Sequence, residues 1–173
     1  EEAREEARKE SYKEQIIRSI SEYHEKPLLY DKSKQFAGIL HSDNDMVCTF
    51  FDVHTGLDVS NYFNTFNEVI LKNRINQYLD KIFEVHMRHG SENISIILSE
   101  LVSGIIHLAL RIENNQNLIE QFLTITDYIS QFLSELSYHF NTVNVYVCPG
   151  NHSRCQAKKE DNMRGENMDL LAI

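Results

Sequence analysis

The chain of 173 residues has few cysteines, no long apolar run and fewer basic than acidic side chains. Its three cysteines, Cys48, Cys148 and Cys155, are an odd number and are spaced too far apart for a zinc knuckle, so reduced thiols are favoured over a disulfide framework. No apolar stretch approaches the about 20 residues that a membrane span needs, and no signal peptide is visible. We therefore expect a cytoplasmic protein with no membrane partner.

The shortage of positive charge also limits the possible partners. The formal net charge is −9, which opposes non-specific binding of nucleic acid through the whole surface, because such binding depends on lysine and arginine neutralising phosphates. A nucleic-acid substrate would need a local basic patch or bound metal ions. The length allows one hydrophobic core with an appendage and leaves no room for a second full domain.

The appendage is predicted at the start of the chain. Residues 1–27 are rich in Glu, Arg, Lys and Ala and have a narrow apolar stripe at helical spacing, which predicts a solvated, charged helix ended by Pro27. An oligomerising coiled coil, giving a homo-oligomer, is the alternative. Residues 28–45 are predicted to be a linker, and residues 46–173 a single domain. Because the chain begins with Glu1 and ends in an apolar run, we expect it to be part of a longer protein, truncated at the C-terminal side of this domain.

The domain alternates strands and helices. Residues 46–51, 95–98 and 142–147 are short apolar or β-branched runs that predict strands, whereas 66–89 and 117–140 have the periodicity of amphipathic helices. Strand, helix, strand, helix, strand predicts an α/β fold with a largely parallel sheet covered by helices.

Each of the three predicted strands is followed by side chains that can bind metals. Asp52 and His54 follow the first strand, Glu100 the second, and Asn151 with His152 the third. A parallel sheet brings these ends to one edge, where ligands bind in open α/β sheets. Carboxylate, imidazole and amide oxygens suit a divalent cation, and a carboxylate on the central strand can bridge two ions about 3.5–4 Å apart. A site for phosphate chemistry is therefore predicted there.

The order Asp-x-His, acidic residue, Gly-Asn-His resembles the calcineurin-like metallophosphoesterases, whose signature is DxH, GD and GNH[DE]. With residues 103–107, 150–154 and 162–167, the resemblance is closest to the phosphoesterases encoded by bacteriophages and prophages, and it covers 46–173. It implies an αββα sandwich, of which this chain would hold the N-terminal portion. The implied activity is hydrolysis of a phosphodiester or phosphomonoester by a metal-bound hydroxide, with nucleic acid a plausible substrate.

The same resemblance implies a role for each strand-end residue. Asp52 and His54 would bind a first divalent ion, Glu100 would bridge both ions, and Asn151 would bind the second. His152 would be the catalytic residue that contacts the phosphate and either acts as general acid or positions the leaving group. The two ions could be Mn, Fe, Zn or Mg.

Three further residues, His107, Arg111 and Arg154, could form an anion-binding rim for the substrate, since arginine grips phosphate in a bidentate manner, or could be ordinary exposed residues. His86 and His89 are expected to be charge-compatible residues at a helix C-terminus.

Two departures from the family pattern define an alternative function. Ser99-Glu100 stands where the family has Gly-Asp, and the family's later histidine and Gly-His-x-His element do not occur before Ile173. A truncated or degenerate phosphoesterase-like domain that binds a partner without catalysis is the alternative. A structural phage or prophage component is a third possibility.

Overall fold

A computed structural model describes Glu14 and residues 42–156, 158–163 and 165–173. Apart from Glu14, the predicted N-terminal helix and most of the predicted linker lie outside these residues. The first strand begins at Asp45, one residue inside the predicted linker. In the described part of the chain, no helix is long and apolar enough to cross a membrane.

The strands and helices follow the predicted alternation. A small antiparallel ribbon, β2 with β3, and a short helix, α2, are additions that the sequence pattern did not predict. The elements are β1 (Asp45–Phe50), β2 (Val59–Ser60), β3 (Thr65–Phe66), α1 (Glu68–His89), β4 (Asn93–Leu98), α2 (Leu108–Glu113), α3 (Leu118–His139), β5 (Thr142–Val147), a 3-10 turn (Lys159–Asp161) and α4 (Met168–Leu171).

The predicted parallel sheet is confirmed. Its order is β1-β4-β5, with β4 in the centre and both pairings parallel. The register aligns the strand ends, because Phe50 pairs with Leu98 and Leu98 pairs with Val147. The residues that follow the three strands therefore leave the sheet at the same edge.

Local signals in the sequence explain where the helices begin and end. The side chain of Asn67 caps α1 by accepting the N–H of Ile70, and Gly90 ends this helix in the left-handed conformation with φ 64°. Asn117 and Glu120 form a reciprocal capping box at the start of α3. Both long helices begin and end close to the predicted residues.

The core lies between the sheet and the helices α1 and α3. The ring of Phe50 on β1 contacts Tyr78 of α1 and Phe132 of α3, with ring centroids 6.1 and 5.3 Å apart, and Tyr78 stacks on Phe132. Both helices therefore cover the same face of the sheet. On the other face, Val47 and Tyr146 are exposed. The described residues form an α/β unit with one helical layer, which agrees with the predicted fold class, and the predicted αββα sandwich is not confirmed in them.

The interpretation of His86 as a charge-compatible helix end is wrong. His86 is only 1% exposed and its ring packs on Phe140, with centroids 4.6 Å apart. Burial lowers the pKa of His86 below its ordinary value, and both ring nitrogens are buried without a hydrogen-bond partner. His86 is therefore a neutral core residue, whereas His89 is exposed.

Candidate functional site at the carboxyl edge of the sheet

The loops that follow β1 and β4 are joined by backbone hydrogen bonds. The carbonyl oxygen of Glu100 accepts the N–H groups of Val53 at 3.0 Å and His54 at 3.3 Å, and the N–H of Thr55 donates to the Leu101 carbonyl at 3.1 Å. Strand-like pairing thus resumes after the sheet proper has ended. Asp52 lies between the two stretches of pairing, and His54 lies within the second.

Three of the predicted ligand residues have a left-handed backbone. The φ angles of Asp52, His54 and Glu100 are 54°, 50° and 53°. This region is sparsely populated by residues other than glycine, and a residue held there costs about 1–3 kcal/mol and persists only where its surroundings determine its conformation. Aspartate and histidine are enriched among such exceptions, whereas glutamate is not. Backbone strain is therefore concentrated on the residues that the sequence singled out.

The Glu100 side chain holds the loop that follows β5. Its two carboxylate oxygens accept the backbone N–H groups of Asn151 at 2.8 Å and His152 at 2.9 Å. A Cβ atom on Gly150 would lie 2.4 Å from the Glu100 carboxyl carbon, so only glycine lets the carboxylate approach the loop this closely. The Gly-Asn-His triplet is thus fixed against the end of the central strand.

Three histidine rings lie side by side at this edge. The ring centroid of His152 is 4.7 Å from that of His54 and 4.8 Å from that of His107. His152 Nδ1 lies 3.3 Å from the Ser103 carbonyl oxygen, which can only accept a hydrogen bond, so this contact assigns the proton to Nδ1. Nε2 of His152 is then the ring nitrogen available to a ligand.

The His54 ring is partly shielded from solvent. Its side chain is 25% exposed, and its Nδ1 atom is buried without a hydrogen-bond partner. Burial, and next the nearby His152, lower the pKa of His54, while Asp52 and Glu100 oppose the shift. A neutral imidazole with an unpartnered nitrogen can bind a cation.

The structure adds a residue that the sequence reasoning missed, Asp169 in α4. Its side chain is fully buried, and its carboxylate accepts the N–H groups of Glu100, Leu101 and Gly150 and the hydroxyl of Ser153. These four hydrogen bonds are 3.1, 2.9, 2.9 and 2.5 Å long. Asp169 therefore ties the end of β4 to the Gly-Asn-His loop from beneath. In the sequence it is a single aspartate beside an apolar run, with no motif around it.

The rim residues are placed unevenly around this site. His107 belongs to the histidine row, whereas Arg111 is exposed one turn further along α2. Arg154 donates from Nε to the Asn151 carbonyl at 3.0 Å, which brings its guanidinium beside the Gly-Asn-His loop.

The predicted ligands fit a divalent ion in their chemistry. Carboxylate, imidazole and amide groups are present, and His54 has one nitrogen, Nδ1, that is buried without a partner and another, Nε2, that lies 4.0 Å from an Asp52 carboxylate oxygen. Within the described residues, however, no group of three or more His, Cys, Asp or Glu side chains is close enough to hold an ion. The Asp52 side chain is 80% exposed and Asn151 is exposed, so both are free to turn inward. A closed metal site would require that movement.

In comparisons with known proteins, no family model, curated protein or solved structure matches the chain.

Proposed function

We propose that this protein is a metal-dependent phosphoesterase with its active site at the carboxyl edge of the sheet. The observation that carries the proposal is the His54–His152 contact at 4.7 Å, which joins the outer strands, together with the Glu100 carboxylate that binds the loop carrying His152. Three strand ends thus contribute to one site. Strain at three candidate ligands supports the proposal, since strained backbone clusters at functional sites.

Different residues of the chain would hold each of two divalent ions. Asp52 and His54 would bind one ion, Asn151 the other, and Glu100 would lie between them. Bound ions would neutralise the charge of the phosphate and supply the nucleophile at neutral pH. Glu100 would have to use oxygen lone pairs that remain after its two backbone hydrogen bonds, which is possible because each carboxylate oxygen can accept more than one bond.

His152 is proposed as the proton donor to the leaving oxygen. The Ser103 carbonyl orients its ring through Nδ1, which leaves Nε2 to hold a proton and transfer it. The rings of His54 and His107 both contact the His152 ring and restrict its movement. The positive end of Arg154, beside Asn151, would help to hold the anionic substrate.

The test is hydrolysis of bis(4-nitrophenyl) phosphate and 4-nitrophenyl phosphate by the full chain, with and without Mn²⁺. We expect Mn²⁺-dependent turnover, a loss of about a hundredfold or more in kcat for His152→Asn, as for removal of a general acid, and a loss of metal-dependent turnover for Asn151→Ala. His89→Asn is the matched control, because His89 is exposed at the opposite edge of the sheet. Turnover that Mn²⁺ does not raise, and that Asn151→Ala does not lower, would contradict the proposal.

A second function, partner binding without catalysis, is favoured by a specific observation. Both carboxylate oxygens of Glu100 already hold backbone N–H groups, which is a structural role that needs no metal. This alternative predicts a folded protein without metal-dependent turnover. If the N-terminal segment mediates assembly, removing residues 1–24 should lower the number of chains per particle, as measured by light scattering.

A further inference from the structure

A cleft lies on the outer side of the Gly-Asn-His loop, between this loop and the segment that leads to α4. Its volume is about 680 Å³, within the usual range for ligand sites. We refer to it as the loop cleft. Its lining residues are Val147, Pro149, Gly150, Asn151, Arg154, Lys159, Asn162, Met163, Gly165, Asn167 and Leu170.

The charged side chains that line the loop cleft are cationic, although the chain as a whole is acidic. Arg154 and Lys159 line it, and among the described residues no carboxylate does, although the formal net charge of the chain is −9. Glu160 and Asp161 follow Lys159 in the 3-10 turn but are not part of the lining. The carboxylates of Asp169, Glu100 and Glu166 accept backbone N–H groups of lining residues but do not line the cleft themselves. The charged side chains that a ligand in the cleft would meet are therefore positive, which favours an anion.

Arg154 has a donor to offer to such a ligand. Its Nε–H is used by the Asn151 carbonyl, which fixes the orientation of the guanidinium, whereas Nη1 is buried and has no hydrogen-bond partner. An unpaired buried donor is costly, and more so on a charged group. An oxygen of a bound phosphate would satisfy it with a charge-assisted hydrogen bond.

Other polar groups of the cleft are already in use. Asn167 donates to the Gly150 carbonyl, and Asn162 accepts the N–H groups of Cys155 and Gln156. These two amides hold the walls of the cleft together, so Arg154, Lys159 and the Asn151 side chain are left for recognition, and the first two carry charge. Two cations without a partner carboxylate in the lining match a phosphate group better than a neutral ligand.

We infer that the loop cleft binds a second phosphate group of the substrate, beyond the one that is cleaved. Asn151 belongs both to the cleft and to the proposed metal site, so an anion in the cleft lies next to the scissile phosphate. This inference rests on the proposed function for the identity of that neighbouring phosphate. It selects substrates with at least two phosphates, such as a nucleic-acid strand or a polyphosphate, over simple phosphomonoesters.

The test measures binding without turnover. The anisotropy of a fluorescein-labelled ten-nucleotide oligothymidylate is followed in EDTA as the full chain is added, and tripolyphosphate is used as a competitor. Lys159→Gln and Arg154→Gln are compared with Lys72→Gln and Arg88→Gln, which make the same charge changes on α1. Lys159 is exposed, so its variant should fold even if Arg154→Gln disturbs the loop.

We expect Lys159→Gln to weaken oligonucleotide binding about fivefold and to lower the slope of log Kd against log salt by about 0.7, as for one lost phosphate contact on a single strand. Competition by tripolyphosphate would mean that the cleft recognises phosphates alone, whereas binding of the oligonucleotide without such competition would assign it to a strand. No binding of either ligand, or equal weakening by the control variants, would overturn the inference. A failure of the proposed function is seen separately, as absent Mn²⁺-dependent turnover of the small aryl diester by the unaltered protein.

Discussion

The substitution Asp169→Asn tests whether one buried carboxylate holds the candidate site together. Asparagine has nearly the same shape, but one of its two terminal atoms is an NH₂ group, which cannot accept a hydrogen bond. Each Asp169 oxygen accepts two hydrogen bonds. An NH₂ group in place of Oδ2 leaves the N–H groups of Glu100 and Gly150 without an acceptor, whereas in place of Oδ1 it leaves only the Leu101 N–H, because the Ser153 hydroxyl can turn and accept from it. The donors left without a partner are buried or half-buried at the strand ends.

The magnitude follows from the charge of the acceptor. A hydrogen bond to a charged group contributes about 1.5–3 kcal/mol, so the loss of one or two predicts a decrease of about 1.5–6 kcal/mol in the free energy of unfolding. This is a large fraction of the about 5–15 kcal/mol typical of a domain. Ser153→Ala, which removes only the hydroxyl donor to Asp169, should cost less.

Urea unfolding followed by circular dichroism measures this difference. Asp58→Asn is the control, because Asp58 is exposed and accepts a hydrogen bond from the Asn115 side chain; we expect a change within about 0.5 kcal/mol. Hydrogen exchange should also become faster at the amides of Glu100, Leu101 and Gly150. If Asp169→Asn is as stable as Asp58→Asn, and these amides stay protected, the central role of Asp169 is refuted.

Two further predictions concern packing and pH. Gly104→Ala should destabilise the protein clearly more than Gly165→Ala. Both glycines have a positive φ, but only a Cβ at position 104 would clash, 1.9 Å from the His152 carbonyl oxygen. Equal decreases in the thermal unfolding temperature of the two variants would contradict this. Burial lowers the pKa of His86, so at acid pH the unfolded chain binds more protons than the folded chain. The free energy of unfolding should therefore fall as the pH drops from about 6.5 through the folded-state pKa. The slope should be at most about 1.4 kcal/mol per pH unit. His86→Leu should reduce this slope and the control His89→Asn should not, whereas an unchanged slope in His86→Leu would count against a neutral, buried His86.

The sequence alone predicts those features of the fold that a local pattern of residues determines. Alternation in residues 142–147 gives β5, Gly90 stops α1, and the strand–helix order gives a parallel sheet that brings Asp52, Glu100 and Asn151 to one edge. These features depend on side-chain periodicity and on backbone rules that act over a few residues.

Features that depend on contacts between residues far apart in the sequence could not be predicted from local patterns. Asp169 binds the backbone of Glu100 across 69 positions, and an aspartate at a helix start is common for local reasons. The left-handed backbone of Glu100 is set by its bonds to Val53 and His54, since glutamate has no preference for that conformation. The burial of His86 likewise depends on Phe140, from another part of the chain.

The most direct test of the proposed phosphoesterase site is a count of bound metal ions. Electron paramagnetic resonance of free Mn²⁺ during titration of the full chain should show two ions bound per chain, with fewer bound to Asn151→Ala and to Asp52→Asn, and an unchanged count for Asp58→Asn. No bound Mn²⁺, or the same count in all four proteins, would contradict a metal site at the carboxyl edge of the sheet.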